Sequence, residues 1–221
     1  MEIVWLDITD PADLWRDHGF EVDDDGHCVV NGIEHRLGAA LPDGQEGQGN
    51  GRGGIVGWGV SGIDPDGTID QIDGIPTTVV PEQATRPSTP SHPNRVFRID
   101  HLVIRTSDTP RTVAAFAAVG TQRRGGRTTN SAGDSVDMTF FWAGDTLLEL
   151  AGPPTPKPDG GPARLGGIAY ATDDLDATVS LLGDHSTTPV DAVQPGRRIA
   201  ALNSAAGSAV PTAFMTPHVK R

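Results

Sequence analysis

The 221-residue sequence has one cysteine, Cys28, so no intramolecular disulfide can staple it and the fold must rest on a non-covalent core. That usage suits a reducing compartment, and a cytoplasmic location is expected. No apolar run approaches the ~18 residues of a membrane span. The start, MEIVWLDITDPADLW, carries acids where a secretory signal carries basic residues. Cations are scarce: 17 Lys and Arg against 29 Asp and Glu give a net charge of -12, and Lys157 and Lys220 are the two lysines. A nucleic-acid surface needs clustered cations to displace counterions, so neither a nucleic-acid nor a membrane partner is expected. A cationic ligand would be attracted, although solubility alone also accounts for such a charge. The chain has no nucleophile elbow and no Cys-pair zinc knuckle, and Cys28 has no neighbouring acid or cation to make it a nucleophile.

What is plentiful is punctuation: 28 Gly and 18 Pro keep helices and strands short. Pro-rich stretches at Pro81 to Asn94 and Gly152 to Ala163 read as extended linkers. Between and beyond them, an offset of 66 residues lays His101-LVIRTSDTPRTV over Gly167-IAYATDDLDATV, an internal repeat that pairs Thr106 with Thr172, Asp108 with Asp174 and Thr112 with Thr178. Each copy reads as an apolar strand, a capping cluster and a helix, near Thr109 to Val119 and Leu175 to Leu182, then three strand candidates. In the middle copy these are Arg123 to Asn130, Ser135 to Ala143 and Asp145 to Ala151; in the last, Thr188 to Val193, Arg197 to Asn203 and Ala209 to Thr216. The first 80 residues offer a weaker copy, with a hairpin turning at Asn31-Gly32 and strands at Ile55 to Ile63 and Ile75 to Val80. The glycine-rich run between them precedes a strand rather than a helix, so it reads as a hairpin loop and not as a phosphate cradle.

With IDHLVIRTSD followed by DTLLELAGP, and LGGIAYATDDLDATVSLL followed by AVPTAFMTP, the sequence resembles the vicinal oxygen chelate superfamily of glyoxalases, extradiol dioxygenases, epimerases and bleomycin-binding proteins. The resemblance implies an α+β fold of tandem βαβββ modules: a degenerate module over 1–80, a Pro-rich linker over 81–95, and paired modules over 96–153 and 164–217 closing a cup around a small molecule. The first module's open sheet face would need cover, so a homodimer is expected.

In metal-binding members of that family each module gives one side chain from its first strand and one from its last. Those four positions are His101, Glu149, Gly167 and Ala213 here. Strict strand alternation puts Phe97, Ile99, His101 and Val103 on one face, and Leu147, Glu149 and Ala151 on one face of theirs. His101 and Glu149 would then meet in the cup, where nitrogen and carboxylate oxygen suit zinc, nickel, manganese or ferrous iron, whereas Gly167 and Ala213 offer no ligand. A carboxylate inside LLEL also needs a counter-charge, proton or metal if buried. Arg105, Asp137, Thr139, Arg198 and Asn203 are candidate ligand contacts. Met138, Phe140, Phe141 and Trp142 belong either to the core or to the wall of an apolar pocket. Two functions follow: a divalent-metal isomerase, lyase or dioxygenase acting on adjacent oxygens, or a metal-free protein that sequesters a small molecule.

Overall fold

The 66-residue repeat folds twice into the same unit. In the computed structural model, which describes residues 1–41, 53–63, 68–82, 87–131, 134–158 and 160–218, fourteen strands among those residues form two sheets. The middle module holds β7 (Val96–Arg105), α2 (Thr109–Ala118), β8 (Gly125–Ser131), β9 (Asp134–Ala143) and β10 (Thr146–Gly152). The last holds β11 (Arg164–Thr172), α3 (Leu175–Leu182), β12 (Val190–Asp191), β13 (Arg198–Ala201) and β14 (Thr212–Met215). In each module the last strand pairs parallel with the first, and the two first strands, β7 and β11, meet antiparallel at the centre of the eight-stranded order β12-β13-β14-β11-β7-β10-β9-β8.

The repeated threonines and aspartates explain why the helices start where they do. Asp108 accepts the Arg111 amide at 3.0 Å and Asp174 accepts the Ala177 amide at 3.0 Å, each satisfying a donor that the first helical turn leaves free. Behind each cap a threonine of the strand meets a threonine of the helix, Thr106 with Thr112 and Thr172 with Thr178, at 2.7 Å in both copies.

The N-terminal region repeats the paired plan in reduced form. It holds β1 (Glu2–Ile8), α1 (Ala12–Asp17), β2 (His27–Val30), β3 (Ile33–Leu37), β4 (Ile55–Ser61), β5 (Gln71–Ile72) and β6 (Ile75–Val79). β1 runs parallel to β3 and antiparallel to β4, and β4 runs parallel to β6. The degenerate module of the sequence reading thus resolves into two short units about an antiparallel β1–β4 centre. The second has no helix among its described residues. The glycine-rich hairpin loop expected near 42–54 lies outside the described residues except for Gly53 and Gly54, where Thr9 donates to the Gly54 carbonyl and accepts its amide.

The two sheets bury their inner faces against each other. Phe20 meets Tyr170 at 5.2 Å and Phe214 at 6.4 Å between ring centroids, and Trp58 meets Phe116 edge-on at 6.3 Å. At the centre the Tyr170 hydroxyl donates to His35 Nε2 at 2.9 Å, while Nδ1 lies 3.3 and 3.2 Å from the carbonyls of Cys28 and Ile33 and so carries the proton. Burial pushes the His35 pKa down to about 4, and it raises the Cys28 thiol well above its ordinary value, so no thiolate forms there. The helix starts are bolted across the seam. Asp73 takes Arg111 Nε at 2.6 Å and also the Thr112 hydroxyl, and the Asn94 carbonyl takes the Thr178 hydroxyl at 2.8 Å. The sheet face for which a second copy was expected is therefore covered from within one chain.

Candidate functional site

On the outer face of the eight-stranded sheet, register decides which side chains meet. Leu147, His101, Ala169 and Ala213 form one row across β10, β7, β11 and β14; Glu149, Val103 and Gly167 form the next; Ala151, Arg105 and Arg164 the one after. His101 and Glu149 thus share a face on neighbouring strands, one row apart, and the four positions named from the family resemblance cluster together. Among the described residues no hydrogen bond joins His101 to Glu149. His101 Nδ1 is engaged instead by Asp100 at 3.0 Å, which leaves Nε2 as the nitrogen with a lone pair.

Strict alternation fails on β7. Ala169 lies opposite His101 and Tyr170 opposite Ile99, so Asp100 is an extra residue in the ladder, a bulge. The bulge sends Ile99 into the core, 1% exposed, alongside Leu102 and Ile104, and not onto the face of His101 and Val103 as alternation requires. It also frees Asp100 to point beside His101. There its carboxylate is gripped by Arg197, Nη2 at 2.6 Å and Nη1 at 3.3 Å, in a pair whose side chains are 3% and 2% exposed. Arg197 Nε donates to the Thr216 carbonyl at 2.8 Å, and Arg98 and His218 stand 3.6 and 3.9 Å from the same carboxylate. Burial alone would raise the Asp100 pKa. Hydrogen bonds from His101 and Arg197, with the charge of Arg197, outweigh it and hold the carboxyl well below its usual range. Neither Asp100 nor Arg197 was legible as a site residue, since an acid beside an inward histidine reads as outward on an ideal strand.

The arginine chosen from the sequence was the neighbour. Arg198 turns to the helix side, where it donates to Asp176 at 2.9 Å on the surface. Asn203 caps a short 3-10 turn, accepting the Ala205 amide and donating to the Asp184 carbonyl. Thr139 lies opposite Leu150, on the core face, and Asp137 shares that parity and accepts from Thr128 at 2.7 Å. None of these four positions shares the face of His101, because each pairs in register with residues directed to the other side or is spent on local structure. Arg105 does share it. Phe141 is core, stacked on Phe116 at 5.1 Å, whereas Phe140 and Trp142 lie opposite Glu149 and Leu147 on the outer face, with Trp142 half exposed.

The donor set does not fit a resident divalent ion. Among the described residues no three His, Cys, Asp or Glu side chains gather to hold a metal. Gly167 cannot be read as a ligand position awaiting a side chain either, because a Cβ there would sit 2.5 Å from the Pro211 carbonyl oxygen. Ala213 presents a methyl group. A catalytic zinc normally keeps three protein ligands, and this face supplies two.

A cleft of about 800 Å³ opens at the seam between the sheets, beyond the Arg105 row, where the end of β7 and the start of β11 face β4 and β6. Its size is that of a small-ligand site.

Residues 98–198 match the family model described as the Glyoxalase/Bleomycin resistance protein/Dioxygenase superfamily. A triple mutant of 4-hydroxymandelate synthase from Streptomyces coelicolor superimposes with a TM-score of 0.65 at 14% identity, covering 100% of this chain and 93% of that one. Methylmalonyl-CoA epimerase from Mycobacterium tuberculosis aligns at 15% identity and TM-score 0.44, over 57% of this chain and 91% of its own. A Streptomyces coelicolor methylmalonyl-CoA epimerase variant in complex with 2-nitronate-propionyl-CoA aligns at 23% identity and TM-score 0.42, over 56% and 99%. No curated protein matches the sequence significantly. The family match over residues 98–198 and the end-to-end fold likeness to the synthase agree with the module plan derived above: that stretch is similar to the glyoxalase/bleomycin resistance protein/dioxygenase superfamily, and the whole chain shares the fold of the synthase.

Proposed function

We propose that this protein binds a small molecule without keeping a divalent ion of its own. The observation that carries this reading is the contact at Gly167, where the Pro211 carbonyl takes the space a ligand side chain would need, in a site whose fourth position is Ala213. With two donors left, an ion would be held weakly and lost on purification. The reading is tested by elemental analysis of protein purified without chelator, then incubated with zinc, nickel, manganese or ferrous ion and dialysed. Well under one ion per chain is the expected result. About one ion per chain that disappears in Glu149→Gln would overturn it. A second reading, a metal site completed by the substrate's own oxygens, is supported by Asp100, which fixes the His101 ring with Nε2 free as metal-bound histidines are commonly fixed. In that case the ion should appear only when a substrate is present, and the same Glu149→Gln variant should remove it.

The protein is also expected to be monomeric, since the sheet face that called for a second copy is buried within the chain. Light scattering should give a mass near 23.1 kDa. A doubled mass at micromolar concentration would show that another surface pairs the chains.

A further inference from the structure

We propose that the seam cleft is the binding site, and that its ligand is an organic anion with an apolar body, the anionic group held between Arg105 and Arg164. This deepens the metal-free binding reading, on which it rests, by naming the place and the chemistry of the ligand. The charged side chains lining the cleft, among the described residues, are Arg105, Lys157 and Arg164, all cations in a chain where acids outnumber bases 29 to 17. Arg105 and Arg164 stand directly opposite each other on antiparallel β7 and β11. Like charges at directly opposed positions of a sheet repel, and among the described residues no carboxylate stands between these two. Among the described residues this pair has no acidic partner, so an anion from outside the chain can take that place. Guanidinium groups present paired donors to carboxylate or phosphate oxygens, so an anion placed between the two would convert a repulsion into two charge-assisted contacts.

The stem of Arg105 has a prepared course. A Cβ at Gly166 would lie 2.8 Å from Arg105 Cγ, so the arginine lies across β11 where the glycine bulge leaves room for it. Ile55, Ile75, Val136 and Leu165 line the same cleft and suit an apolar body. The overall charge of -12 does not forbid the choice, because fields from exposed acids are largely screened beyond ~8 Å at physiological salt, while the three cations would act on the ligand from the cleft wall.

The test uses the full chain with octanoate, octyl phosphate and octylammonium, followed by calorimetric titration and thermal unfolding. At least one of the two anions should bind and raise the melting temperature, and their relative affinities distinguish a carboxylate from a phosphate head. Octylammonium should do neither. Arg105→Gln and Arg164→Gln should each weaken anion binding about tenfold. Without anion, neither variant should melt below the wild type, since each relieves the repulsion. Equal binding of octylammonium, anion binding that survives the double variant, or no anion binding at millimolar concentration would overturn the proposal. The same titrations with chelator separate the two readings: anion binding that vanishes with chelator sinks the metal-free reading and leaves the cleft, whereas failure of anion binding in protein shown to be metal-free sinks the cleft alone.

Discussion

Arg197→Met is expected to destabilise the fold by about 3–5 kcal/mol, the range for removing one partner of a buried ion pair. The reason is less the loss of attraction than what stays behind. Asp100 is 3% exposed in its side chain and, among the described residues, would keep His101, Arg98 and His218 as polar neighbours. Its carboxylate cannot remain charged there at small cost, so its pKa should rise from the depressed position it now holds. A raised native pKa means that the protonated form is the stable one, so the variant should gain stability relative to wild type as pH falls toward 4. Urea unfolding at pH 7 and pH 4.5 reads both effects. The double variant Asp100→Leu with Arg197→Met should recover much of the loss, because replacing a whole buried pair with apolar groups is close to neutral. A single variant that costs under ~1 kcal/mol at pH 7 would show that the pair is solvated, contrary to the geometry.

Acid should unfold the protein through His35 before it reaches the carboxylates. The unfolded histidine has a pKa of 6.5 and the folded one about 4, so the native state holds the neutral ring and the unfolded state binds the proton first. The stabilisation is complete above pH 6.5 and is lost as pH falls through 4, a change of about 3 kcal/mol for one group at ~1.4 kcal/mol per pH unit. His18 and His92 are also lowered by burial and act in the same direction. His35→Gln keeps a side chain able to hydrogen-bond but removes the titration. Its stability at pH 7 should fall, and the slope between pH 6.5 and 4 should flatten by about one proton. An unchanged slope in the variant would mean that the ring is not locked between Tyr170 and the carbonyls of Cys28 and Ile33. The acid sensitivity would report loss of contact between the two sheets, because the Tyr170 hydrogen bond crosses that boundary.

Much of the middle and last modules was legible because its signals are local. Thr106, Asp108 and Thr112 recur as Thr172, Asp174 and Thr178, and the same short contacts form in both copies, so repetition in sequence became repetition in structure. The expected helix at Leu175 to Leu182 has those bounds, and the one at Thr109 to Val119 ends one residue earlier, at Ala118. The site was less legible. His101 and Glu149 share a face as strand parity requires, but the residue that orients His101 was invisible to parity, since a bulge displaces the count by one at Asp100. Of two adjacent arginines, the buried one is Arg197, just before β13, and the exposed one is Arg198, the first residue inside it. Periodicity has no purchase at a strand end.

The sequence by itself determined the repeat, its helix caps and the absence of an intramolecular disulfide. Each depends on residue type or on spacing within one element. The tertiary structure alone decided how the N-terminal sheet packs, which buried polar groups meet, and where the cations gather. Asp73 with Arg111, His35 with Tyr170 and Asp100 with Arg197 join residues 38, 135 and 97 positions apart. Contacts at that separation are fixed by sheet register and by the burial of two apolar faces against each other, and no local pattern encodes either.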